Sequence, residues 1–216
     1  PYVGTVGCAV LDAEENVGLL TNQHVTGPPG RTIYYPEAGR IEIGETSNSI
    51  YAVADEIHYS GLIDEKNATI RVDCGVVRLS PEAASAAVPG LYELGRLGEV
   101  LPVDIDTMDV IGLEVLSIGR TRGLQRGTVA AYSYEWRDEA KLSVYTDLLI
   151  IGDEPGGAFS AKGDSGKLIV SADGIRPVAL LWGGWQERLR SGYEQENWTY
   201  AIELAKVLEY LEVHIS

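Results

Sequence analysis

The chain is cut into many short apolar runs, each only long enough for a β-strand and each closed by glycine, proline or a polar cluster. Val3 to Leu11 and Val17 to Thr21 flank the polar turn at Asp12 to Asn16 and read as a hairpin. Thr32 to Tyr35, Arg40 to Gly44, Ser49 to Ile57 and Thr69 to Leu79 follow, with a polar loop at Asp64 to Asn67. Ser80 to Gly90 reads as a loop carrying one helical turn of alanines. A second series runs through Glu114 to Gly119, Thr128 to Trp136 and Leu142 to Gly152. It continues with Leu168 to Ser171 and Pro177 to Trp182 around a turn at Asp173-Gly174. Only the end has extended helical spacing: Ile202, Ala205, Leu208 and Leu211 recur across Tyr200 to Glu212. No repeat of solenoid length is present. The pattern predicts an all-β fold, a double β-barrel with a C-terminal helix. The two halves, 1–107 and 108–216, meet near the pattern-poor stretch Gly95 to Asp109.

A formal net charge of −15 opposes binding to nucleic acid, whose phosphates it would repel. No apolar run reaches transmembrane length, so no membrane partner is expected. The two cysteines, Cys8 and Cys74, lie among apolar neighbours and read as core thiols rather than a disulfide framework. With no secretory leader in view, a cytoplasmic setting is expected, although the chain begins at Pro1 inside strand-like sequence and leaves room for a segment upstream. His58 and His214 have no second ligand at helical spacing and no cysteine neighbour, so no metal and no other cofactor is expected. Gly156-Gly157 lacks the Lys-Ser/Thr and helix of a phosphate cradle. Trp182, Trp185 and Trp198 read as groove or core aromatics.

The chemistry centres on Gly163-Asp164-Ser165-Gly166. A serine hydroxyl is a poor nucleophile until a base takes its proton, and its attack on a carbonyl builds an oxyanion that must be held. The flanking glycines leave the N–H groups of Gly163 and Ser165 free to turn toward one point. His24 stands where a strand gives way to a turn, a place from which a side chain can emerge. Asp73 lies among apolar residues, where a carboxylate is costly unless hydrogen-bonded. It suits either a structural acid or a group that orients an imidazole.

These residues carry a resemblance to the chymotrypsin/trypsin-like serine proteases. Thr21-Asn22-Gln23-His24-Val25 is similar to their T-A-A-H-C block, Val72-Asp73-Cys74-Gly75-Val76-Val77 to D-x-A-L-L, and Gly163-Asp164-Ser165-Gly166 to G-D-S-G. The order His, Asp, Ser is the family's. The chain is more similar still to the plant Narrow Leaf group, through Gly4-Thr5-Val6-Gly7-Cys8-Ala9-Val10, Gly127-Thr128-Val129, Thr146-Asp147-Leu148-Leu149, Trp182-Gly183-Gly184 and Glu196-Asn197-Trp198-Thr199. The resemblance implies two six-stranded β-barrels and a serine endopeptidase with His24, Asp73 and Ser165 as catalytic residues and Gly163 and Ser165 N–H groups as the oxyanion hole. It places Leu181, Trp182 and Gly183 along the extended substrate backbone. Phe159 stands six residues before the serine, where trypsin-like enzymes carry an acid, which implies a pocket for apolar side chains. Protein or peptide substrates are the implied partners, and a homo-oligomer is compatible with the chain. Val25 replaces the cysteine after the histidine, and Lys167-Leu168 replaces the Gly-Pro after G-D-S-G. Activation by a new N-terminus has no visible counterpart. The competing reading is a silent or latent protease-like binding module.

Overall fold

The computed structural model describes residues 3–35, 41–54, 68–104, 106–137, 143–153, 158–185 and 198–216. The first series of strands is β1 (Ala9–Leu11), β2 (Val17–Thr21), β3 (Thr32–Tyr35), β4 (Ile41–Ala54) and β5 (Ala68–Leu79). Two short helices, α1 (Gln23–Thr26) and α2 (Pro81–Ala86), follow β2 and β5. The second series is β6 (Glu114–Gly119), β7 (Gly123–Arg137), β8 (Ser143–Gly152), β9 (Leu168–Ser171), β10 (Pro177–Trp185) and β11 (Trp198–Glu203). The chain ends in α3 (Leu204–Leu211) and β12 (His214–Ile215).

In the second series each strand pairs with the next around a ring: β6 with β7, β7 with β8, β8 with β11, β11 with β10, β10 with β9 and β9 back to β6. This closes a six-stranded antiparallel barrel and leaves it no edge. Val115, Leu148, Ile150, Phe159, Ile169 and Leu181 fill it. The first series forms a sheet in the order β3-β4-β5-β2-β1-β12, its last strand supplied from the far end of the sequence. The start of β5 runs parallel to β8, so the sheet and the barrel share one hydrogen-bonded ladder. Cys8, Cys74, Leu20, Leu180 and Ile202 belong to the other apolar cluster, on which α3 packs.

Of the run from Val3 only Ala9–Leu11 is strand, β7 begins at Gly123 ahead of Thr128, and two further boundaries differ from the sequence pattern. The stretches read as separate at Arg40 to Gly44 and Ser49 to Ile57 form a single strand, Ile41–Ala54, with a register shift between Thr46 and Asn48. A bulge lets polar Thr46-Ser47-Asn48 interrupt the alternation without ending the ladder. The helix read from Tyr200 begins only at Leu204, because Thr199 to Ala201 pair with both β10 and β8. Its buried face is Leu204, Val207 and Leu211, while Ala205 and Leu208 are only partly covered. The three-residue spacing had borrowed Ile202 from the strand. Asp64 to Asn67, His58, Gly156-Gly157 and Glu196-Asn197 lie outside the described residues. Cys8 and Cys74 are free and buried, and burial pushes both thiols up to about 12, so neither is a nucleophile at neutral pH. Among the described residues no helix is long and apolar enough to cross a membrane.

Candidate active site

Asp73 sits within β5, not at a strand end, and is 2% exposed. Asn22 anchors the turn above it by donating its side-chain amide to the Asp73 carbonyl at 2.6 Å. The chain then makes the single helical turn α1, closed by Thr26 N–H to Asn22 O and Gly27 N–H to Gln23 O. That turn presents His24. The Asp73 carboxylate accepts the backbone N–H of His24 at 3.1 Å on one oxygen and meets its Nδ1 at 2.5 Å on the other. The carboxylate is buried while the imidazole keeps 31% exposure. A desolvated anion fixed on Nδ1 sets the ring orientation and leaves Nε2 as the nitrogen that can exchange a proton.

The serine loop hangs from the barrel between Phe159 and β9. It is two consecutive turns, closed by Asp164 N–H to Ala161 O at 3.0 Å and Lys167 N–H to Asp164 O at 3.1 Å. Asp164 is completely buried. Its carboxylate accepts the N–H groups of Ala161 at 3.0 Å, Thr121 at 2.8 Å and Arg122 at 3.4 Å. Gly119 makes room for it, since a Cβ there would lie 2.5 Å from Asp164 Oδ1. Lys167, the departure from the family pattern, turns inward and has no exposed surface. Its ammonium donates to the Phe159 carbonyl at 2.5 Å, lies 4.3 Å over the Phe159 ring, and stands 3.9 Å from Asp164. Desolvation lowers its pKa to about 8, with the Asp164 charge opposing that fall. Asp164 is therefore satisfied by backbone donors and an internal cation.

Ser165 is half-buried, and its carbonyl accepts the Thr5 N–H at 2.8 Å. Gly4 is wedged beside it: a Cβ on Gly4 would lie 2.9 Å from Ser165 O and 2.8 Å from a Val25 methyl. The N-terminal segment thus draws the serine loop of the barrel up against the His24-Val25 turn of the sheet. Gly163 holds φ at 102°, a conformation open to glycine and strained for other residues. Among the described residues neither Gly163 N–H nor Ser165 N–H is spent on an acceptor.

The residues expected along a substrate split. Leu181 and Trp182 are buried, Leu181 holding the loop through bonds to Lys167 and Gly166 backbone and Trp182 donating Nε1–H to Thr146 Oγ1 at 3.2 Å. Gly183 is half-buried at a bulge in β10, and its open side meets only Tyr200 at 3.9 Å. Phe159 has no exposed surface, being covered by Lys167 and pressed against Gly127. His214 pairs with Leu11 on the β12 edge. No cluster of three His, Cys, Asp or Glu side chains suited to a metal occurs among the described residues. Thr5, Thr121 and Arg122 hold the loop without any sign in their own sequence context. The lysine's destination had one sign, its place at the head of the apolar run Leu168-Ile169-Val170.

Comparison with known proteins shows the family and the fold. The chain is 30% identical over 233 residues to Protein NARROW LEAF 1 of Oryza sativa subsp. japonica, across 98% of this chain and 40% of that protein. It is 28% identical over 232 residues to a probable serine protease of Bradyrhizobium tropiciagri, across 99% of this chain and 29% of that protein. The chain thus spans less than half the length of these curated relatives. Among solved structures, the Nocardiopsis protease NAPase superposes with a TM-score of 0.62 at 18% identity, covering 99% of this chain and 97% of that one. A glutamic acid specific serine protease gives 0.64 at 16% identity, covering 99% and 93%. The model of the Nal1 C-terminal domain matches residues 2–216. The chain belongs to the Nal1 C-terminal domain family and is built on a chymotrypsin-like serine protease scaffold.

Proposed function

We propose that this chain is a serine endopeptidase acting on protein or peptide substrates. His24 Nε2 takes the Ser165 hydroxyl proton as the oxygen forms a bond to the scissile carbonyl carbon. The carbonyl π pair moves onto its oxygen, which the Gly163 and Ser165 N–H groups receive. Collapse breaks the C–N bond, and His24 returns the proton to the departing amine. Water then repeats the cycle on the acyl-enzyme, releasing the acid and restoring Ser165. Asp73 holds Nδ1–H of the imidazolium throughout.

The observation that carries this reading is the 2.5 Å contact between His24 Nδ1 and the buried Asp73 carboxylate, in a scaffold of this class. A desolvated carboxylate committed to one ring nitrogen suits an imidazole that must gain and lose a proton at the other. The test is labelling with a fluorophosphonate probe, in which Ser165 Oγ displaces fluoride from phosphorus. Labelling of the wild type, lost in Ser165→Ala and His24→Ala, is the expected result. A folded wild-type protein that stays unlabelled overturns the reading in favour of a silent protease-like binding module.

A further inference from the structure

Glycine at position 163 creates a difficulty that the surrounding threonines answer. With no Cβ, the Gly163 backbone can hold φ at 102°, but the same freedom lets the Lys162–Gly163 peptide rotate and turn its N–H away. Across a trans peptide the carbonyl and N–H point in opposite directions, so whatever holds the carbonyl aims the N–H. Thr121 Oγ1 donates to the Lys162 carbonyl at 2.9 Å, on the plane that carries the Gly163 N–H. Thr5 Oγ1 donates to the Gly163 carbonyl at 2.9 Å, on the plane that follows. Neither hydroxyl is loosely placed. Thr5 Oγ1 also accepts the Arg120 N–H at 3.0 Å, and the Thr5 carbonyl accepts Thr21 Oγ1 at 2.7 Å. Thr121 is tied by its own N–H to Asp164 Oδ1 at 2.8 Å, and its hydroxyl would lie 2.6 Å from a Cβ on Gly163.

We infer that Thr121 and Thr5 are positioning residues for the oxyanion hole, their hydroxyls holding the two peptide planes on either side of Gly163 so that its N–H stays free. The inference rests on the endopeptidase reading. It names the side chains that hold the Gly163 peptide planes where the hole needs them.

Thr121 is the cleaner probe because it is exposed, whereas Thr5 bridges the sheet and the barrel. Thr121→Val keeps the shape and removes the donor. It is expected to slow second-order fluorophosphonate labelling by about tenfold to a hundredfold, between no effect and loss of a whole hole donor. Thr121→Ser should recover most of the rate. The melting temperature and the low-field NMR proton of His24 Nδ1 should be the same in all three proteins, since the His24–Asp73 pair is untouched. Thr5→Val and Thr5→Ser should give the same ordering of rates. A Thr121→Val protein that labels at the wild-type rate overturns the inference and leaves the endopeptidase reading standing. So does a loss that Thr121→Ser fails to recover. An unlabelled wild type removes both.

Discussion

Two buried carboxylates are answered in opposite ways on the two sides of the site. Asp73, in the sheet, has as its partner an imidazole that keeps 31% exposure and can change its charge. Asp164, at the barrel, is enclosed by three backbone N–H groups and a lysine with no exposed surface. On the endopeptidase reading, one environment lets a proton come and go, and the other keeps a loop from moving. Desolvation therefore does not by itself mark a catalytic carboxylate. What distinguishes the two is whether the partner reaches solvent.

The contrast breaks most visibly in rate. Asp73→Asn should leave the fold intact and lower turnover or labelling by about 10⁴, because an amide can no longer hold the productive tautomer. If Asp73 were merely structural, stability would fall and the per-site rate of the folded fraction would not. Asp164→Asn should act on stability first. Removing the charge from a fully buried site strands the Lys167 ammonium, a change of about 3–5 kcal/mol that urea unfolding would register. An unchanged urea midpoint would mean that the backbone donors alone suffice.

Lys167 sharpens the comparison through pH. Its pKa is about 8 in the folded protein and 10.5 in the unfolded chain. Between those values the unfolded state binds the proton and the folded state does not, so this group makes stability rise with pH. Relative to Lys167→Met, the wild type should gain up to about 3 kcal/mol from pH 8 to pH 10.5, and nothing further above that window. Cys8 and Cys74 are present in both proteins and cancel. A difference between the two proteins that stays flat with pH would place the ammonium in contact with water. The smallest effect concerns those cysteines. Native protein should react with a thiol reagent at neutral pH only at its unfolding rate, with no fast phase from either thiol.

Much of this was legible in the chain. Short β-branched runs cut by turns dictate strands, and His24, Asp73 and Ser165 stand in motifs whose order is informative. Barrels were expected, but the pairing that closes one, β11 with β8, is encoded by no local pattern. The start of α3 was misplaced for the same reason: Tyr200 and Ala201 are claimed by two neighbouring strands at once. Lys167 read as a break in the serine motif, since a lysine after glycine ordinarily faces water. Its role becomes visible only once Asp164 and the Phe159 carbonyl are seen behind it. Two of the three backbone donors to Asp164 come from the turn at Thr121 and Arg122, too far along the chain for spacing to suggest them.

The strand that carries Asp73 is also the beam common to both halves. β5 pairs with β4 along most of its length and with β2 over Gly75 to Arg78, and it begins alongside β8 of the barrel. A tug on the barrel wall is thus transmitted along the same backbone that fixes the carboxylate. Calorimetry of such a molecule should trace one heat-absorption peak, and slow amide-exchange protection should pass unbroken from Leu20 through Val76 into Leu148.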